Sequence, residues 1–171
     1  MAIARASRLH RAFAFGAGFA LVAGIGVLII AGPEDRLENA LLSSHLRADQ
    51  PGHPIAATLY SPQAARAWFK DHLDFTPPVR DLAPAGFSII GARLDFVAGR
   101  FVSVMVYRAP EGLIDLYSWP DGAPDRKLRA SSISGHALRR WSESGLQHWV
   151  ISHVPSSRLD AFVTSWRATK G

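Results

Sequence analysis

Residues 87–119 read FSIIGARLDFVAGRFVSVMVYRAPEGLIDLYSW, and their period of two decides the fold. Three runs rich in Ile, Val, Phe and Tyr, Phe87 to Phe96, Arg100 to Arg108 and Leu113 to Trp119, are separated by Val97-Ala98-Gly99 and by Ala109-Pro110-Glu111-Gly112. Successive side chains on a strand point to opposite faces, so each run reads as a β-strand. Connections this short leave no room for a crossover helix and imply antiparallel hairpins. In the middle run Val102, Val104 and Val106 make a wholly apolar face, with Phe101, Ser103, Met105 and Tyr107 on the other. Such a strand belongs inside a sheet that is covered on both sides.

Downstream, Pro120 to Ser134 reads as a polar loop containing Arg126-Lys127-Leu128-Arg129. Two further strands are expected at about Gly135 to Trp141 and Leu146 to His153, joined by Ser142-Glu143-Ser144-Gly145. Pro155-Ser156-Ser157 then caps a last helix to about Ala168, with Leu159, Phe162, Val163 and Trp166 on one face. Upstream, Ser61-Pro62 reads as an N-cap with proline in the first turn, opening a helix to Leu73 whose Ala65, Trp68, Phe69 and Leu73 share a face. Gln50-Pro51-Gly52-His53-Pro54 cannot continue a helix. The expectation is therefore an α+β domain over 51–171, a small unit with a roughly five-stranded antiparallel sheet flanked by helices. Residues 33–50, with Leu37, Ala40, Leu41, Leu42 and Ala48, read as a juxtamembrane stalk helix.

The word juxtamembrane rests on residues 12–32, AFAFGAGFALVAGIGVLIIAG, twenty-one residues without a charge. At about 1.5 Å per residue they match the roughly 30 Å hydrocarbon core of a bilayer and read as one N-terminal transmembrane helix. A cleaved signal peptide is the rival reading, but its apolar region would be shorter and would end at an A-x-A-like site. Residues 1–11 form a basic tail whose Arg5, Arg8 and Arg11 set the topology, while Glu34, Asp35 and Glu38 follow the span. The chain is thus expected in the bacterial inner membrane, single-pass, with its N-terminus cytoplasmic and its C-terminal domain periplasmic. Ala12, Gly16, Ala20 and Gly24 recur every four residues and make a stripe of small side chains. Such a stripe suits close approach of another membrane protein's helix, or of a second copy.

Composition bounds the function. The net charge is +5, but three of the nineteen basic residues precede the span, leaving sixteen against all fourteen acidic ones. A nearly neutral outer domain argues against nucleic acid as a partner. No cysteine is present, which excludes disulfides, thiolate metal sites and cysteine nucleophiles within this chain. Nucleophile elbows, phosphate-binding glycine loops and histidine-glutamate zinc motifs are absent, so no enzyme, no catalytic residue, no cofactor and no metal site is expected. His136, His148 and His153 are read as structural or solvated. If Trp141 pairs with Leu146, His148 would face Arg139. Asp95 and Asp115 are read as surface ion-pair partners of nearby arginines, Arg93 and Arg100 among them, rather than as an acid/base pair. The tryptophans Trp68, Trp119, Trp141, Trp149 and Trp166 are assigned mainly to the core.

Several segments together carry a family likeness: Ala67-Trp68-Phe69-Lys70, Leu73 to Leu82, Gly86-Phe87 and Gly91 to Phe96. It continues through Val106-Tyr107-Arg108, Ile114 to Pro120, Trp141, Gly145 and Trp149-Val150-Ile151-Ser152. Over roughly residues 40–168 the chain resembles the extracytoplasmic domain of anti-sigma-factor-like transmembrane transcriptional regulators. The resemblance implies an anchored periplasmic sensing or binding domain that regulates transcription through protein-protein contact. In that family a cytoplasmic helical domain, often with a histidine and two cysteines binding zinc, holds the sigma factor. Residues 1–11 hold no counterpart of it, so a sigma factor is expected as a partner only indirectly. The alternative reading is an accessory or assembly subunit of a larger membrane protein complex.

Overall fold

The computed structural model describes residues 32–48, 50 and 57–170. Its elements in chain order are α1 (Pro33–Ala48), β1 (Ala57–Thr58), α2 (Pro62–His72), β2 (Ser88–Val97), β3 (Arg100–Ala109), β4 (Gly112–Pro120), β5 (Arg126–Ile133), β6 (His136–Glu143), β7 (Leu146–Ser152) and α3 (Ser156–Ala168). The class is α+β. One seven-stranded sheet runs in the order β1-β2-β3-β4-β7-β6-β5, every neighbouring pair antiparallel.

Both faces of the sheet are covered, as the two apolar faces of β3 require. On one side Ala65 and Phe69 of α2 and Leu159, Phe162, Val163 and Trp166 of α3 pack with Met105, Tyr107, Ile114, Leu116 and Val150. Phe162 meets Phe87 and Tyr107 edge to face at 5.2 and 5.1 Å, each contact contributing about 1 kcal/mol beyond the area it buries. On the other side Leu41 and Leu42 of α1 pack with Val102, Val104, Tyr117, Trp119, Leu138, Trp149 and Ile151. The apolar face of 33–48 is therefore used on the sheet, and α1 is a layer of the domain, within the same compact unit, rather than a separate stalk. Ser61 caps α2 by accepting the Ala64 amide at 3.2 Å. At α3 the capping position is Pro155, with no side-chain cap.

The sheet has seven strands and not about five. The added β1 is only two residues long. The added β5 lies where 120–134 reads as a loop, and Arg126 to Ala130 of this edge strand are all exposed. A strand that meets the core only at its last residue, Ile133, has no apolar alternation to betray it, and charged residues on an edge also discourage pairing with other chains. The β6–β7 connection is two residues, not four. Ser144 and Gly145 both have positive φ, 55° and 75°, so Glu143 pairs with Leu146. This is the tight turn whose twist matches flanking strands. The register moves accordingly: Trp141, not Arg139, lies opposite His148.

Of residues 12–32, read as a transmembrane helix, 12–31 lie outside the described residues. Among the described residues no helix is long and apolar enough to cross a membrane.

Candidate functional site

β4 runs through the middle of the sheet, and its odd-numbered side chains Asp115, Tyr117 and Trp119 face α1. An acidic side chain there must find partners or give up its charge. Asp115 is 2% exposed, and its Oδ2 accepts from Arg93 Nη2 at 2.7 Å and from His45 Nδ1 at 2.8 Å. Burial pushes the Asp115 carboxyl up, and Arg93 and His45 more than reverse it, so it stays below the usual carboxylate range. Burial likewise works against the Arg93 charge, and Asp115, Tyr117 and Asp95 outweigh it. Tyr117 Oη accepts from Arg93 at 3.0 Å and is hydrogen-bonded to Ser44 Oγ at 2.8 Å, and Ser44 in turn donates to Asp95. Burial and the Asp115 charge push the Tyr117 hydroxyl well up, so it stays neutral.

This network joins α1, through Ser44 and His45, to β2 and β4. Asp95 and Asp115 do share Arg93, but the Asp115 pairing is buried and the Asp95 pairing, at 3.4 Å, is part-buried rather than on the open surface. Arg100 pairs with neither. Its guanidinium lies 5.7 Å above the Trp119 ring.

On the opposite face His148 is 1% exposed, stacked on Trp141 at 5.0 Å and hydrogen-bonded to Ser118 Oγ at 2.8 Å. Burial, with the Arg80 charge, pushes its imidazole down to about 3. Arg80 lies 3.6 Å from the centroid of Trp166, donates to the Trp166 carbonyl and accepts the Tyr107 hydroxyl on its own carbonyl. Trp119, Trp141, Trp149 and Trp166 are all core residues, and Trp68 is half-buried against the core. His136 lies with its ring 5.4 Å from that of His45 and 6.4 Å from that of His153. Among the described residues no group of three or more His, Asp or Glu is arranged to hold a metal ion.

The start of α1 borders a basic cleft. A cavity of about 260 Å³ is lined by Glu34, Arg126, Lys127, Arg129, Arg140, Trp141 and Gln147. It adjoins a second, of about 290 Å³, which shares Glu34, Arg126, Arg140 and Gln147 and reaches Pro33, Ala98, Arg100 and Trp119. Arg126 and Arg129 are an odd number of residues apart and in an unbroken strand would point to opposite faces. A bulge between them sets Arg126 opposite Ser142 and Arg129 opposite Arg140, so both share the face of Arg140. Two arginines directly opposed are an electrostatic cost. Glu34, which accepts from Arg140 at 2.6 Å, offsets it, and its carboxyl is held down by Arg140 first and then by Arg129 and Arg126.

The stripe Ala12, Gly16, Ala20 and Gly24 and the topology residues Arg5, Arg8 and Arg11 lie outside the described residues. The basic run at 126–129 was visible in the sequence as charge, whereas its partners Glu34, Arg100 and Arg140 were not. The only local signal for the network was an aspartate inside an apolar strand run, at Asp115. Ser44 and His45 lie on a different element, 70 or more residues away. Comparison with protein-family models, with curated proteins and with solved structures finds no match.

Proposed function

We propose that this chain is a membrane-anchored regulatory protein of the bacterial inner membrane. In this reading residues 12–32 are the anchor and the domain that follows senses or binds on the periplasmic side. It acts by protein-protein contact rather than by catalysis, in the manner of the anti-sigma-factor-like regulators it resembles, and reaches a sigma factor only through another protein. The observation that supports this most is the attachment of α1. The helix that directly follows residues 12–32 is held to the sheet by Leu41, Leu42 and the buried His45–Asp115–Arg93 contacts. A change of state in the sheet is thereby coupled to the chain segment leading to the anchor. A contact patch of small residues on that anchor is the route onward to a partner helix.

The test has two arms. The chain has no cysteine, so single cysteines placed at Arg5 and at Ser157, which is exposed, report sidedness. A membrane-impermeant maleimide is expected to label Ser157→Cys in intact spheroplasts and Arg5→Cys only after lysis; the reverse pattern overturns the orientation. For regulation, loss of the gene is expected to change a defined set of transcripts, restored by the full chain but not by a folded, inserted Gly16→Ile/Gly24→Ile variant. Unchanged transcription, with stoichiometric recovery of the chain in a large membrane complex from mild detergent, favours the accessory subunit instead.

A further inference from the structure

At the same end of the sheet as the basic cleft, on the face toward α2 and α3, stands a pair of exposed aromatic rings. Phe96 ends β2 opposite Phe101 at the start of β3, their rings 5.2 Å apart and edge to face, 60% and 66% exposed. They flank the Ala98-Gly99 turn, and Ala98 and Arg100 line the same cavity as Pro33, Arg126 and Arg140. One end of the sheet therefore gathers Arg100, Arg126, Lys127, Arg129 and Arg140, two exposed phenyl rings and the first residues of α1. Phenyl rings in water are unfavourable and gain from an interface, while basic side chains gain from anionic headgroups near it. Pro33, the first residue of α1, lines that cavity, so the described domain begins at this end.

We propose that this end of the domain rests on an anionic phospholipid surface, with Phe96 and Phe101 in the interface and a headgroup phosphate held among Arg126, Lys127, Arg129 and Arg140. The proposal rests on the anchor reading above and adds a ligand to it. The shared chemistry is a phosphate monoanion or diester. A soluble phosphate would use the arginines and leave the exposed rings unexplained, which is the reason for choosing the lipid. Glu34 acts as the tethered carboxylate that keeps the opposed Arg129 and Arg140 compatible until a headgroup replaces it.

The full chain is reconstituted into vesicles of POPC alone and of POPC and POPG in equal parts, and amide hydrogen exchange is followed over 96–101 and 126–133. Exchange is expected to slow about fivefold or more in the POPG vesicles, the factor one basic side chain contributes at an anionic surface. High salt should reduce the slowing, and Arg126→Gln/Lys127→Gln/Arg129→Gln and Phe96→Ser/Phe101→Ser should abolish it. These residues are exposed, so unchanged melting confirms that both variants fold. Equal exchange in the two vesicle types, with the chain resisting carbonate extraction from both, overturns the headgroup site and leaves the anchor standing. Extraction of the chain by carbonate overturns the anchor and the headgroup site together. Equal protection by glycerol phosphate added to POPC vesicles overturns the lipid as the source of the phosphate.

Discussion

His45 Nδ1 on α1 lies 2.8 Å from the carboxylate of Asp115 on β4, a contact between two buried side chains seventy positions apart. Asp115 also holds Arg93, so the helix, the second strand and the fourth are tied at one oxygen.

Asp115→Asn keeps the shape and removes the charge, leaving buried Arg93 with only its longer, part-buried contact to Asp95 at 3.4 Å. The expected loss is about 3 to 5 kcal/mol, read as a lower urea midpoint of the full chain in mild detergent. Arg93→Met/Asp115→Leu removes both charges and should lose less than the sum of its single substitutions. Additive losses would refute the coupling.

Leu41 is fully buried between α1 and the sheet. Leu41→Ala opens a cavity there at a cost of about 2 to 5 kcal/mol. If α1 is a separable layer, hydrogen exchange should rise more over 33–48 than over 112–120. An equal rise in both would mean that helix and sheet open only together.

His148 has a folded-state pKa near 3, below the usual value of about 6.5. Between those values the unfolded chain binds a proton that the folded chain refuses. Stability therefore falls as pH drops through that window, by at most about 1.4 kcal/mol per unit from this group, and is unaffected by it above the window. Asp115, whose folded pKa is depressed, adds a further loss only at the acid end, as pH falls below the ordinary aspartate range. Melting temperatures between pH 7 and pH 4.5 should fall less steeply in His148→Gln than in the natural chain. Parallel curves would contradict the assignment.

Ala98 has a φ of 48°, a left-handed conformation that costs an alanine about 1 kcal/mol, and precedes Gly99 in a two-residue turn. Asparagine followed by glycine suits this turn, so Ala98→Asn should raise the melting temperature, with a gain of roughly 0.5 to 1 kcal/mol. A drop would indicate that Ala98 is needed for packing at the cleft.

Much of the fold was legible because its signals are local. The runs 87–96, 100–108 and 113–119 became β2, β3 and β4 with ends shifted by one residue at most, and Ser61-Pro62 did open a helix. Where the signal was not local, reading failed. β5 carries no apolar alternation because only its last residue, Ile133, packs against the core, and the length of the turn at Ser144-Gly145 depends on backbone torsions that two residue names do not specify. That turn alone moved His148 from Arg139 to Trp141.

By itself the sequence determined the class, the antiparallel hairpins, the helix faces and an uncharged segment at 12–32, all of which follow from periodicity over neighbouring residues. Tertiary structure alone decided that α1 lies on the sheet, that Asp115 is paired with His45 and Arg93, and that a bulge turns Arg126 and Arg129 toward Arg140 and Glu34. Each of these depends on strand order and register, which are set by how distant surfaces pack together, and no short-range pattern in a chain encodes that distance.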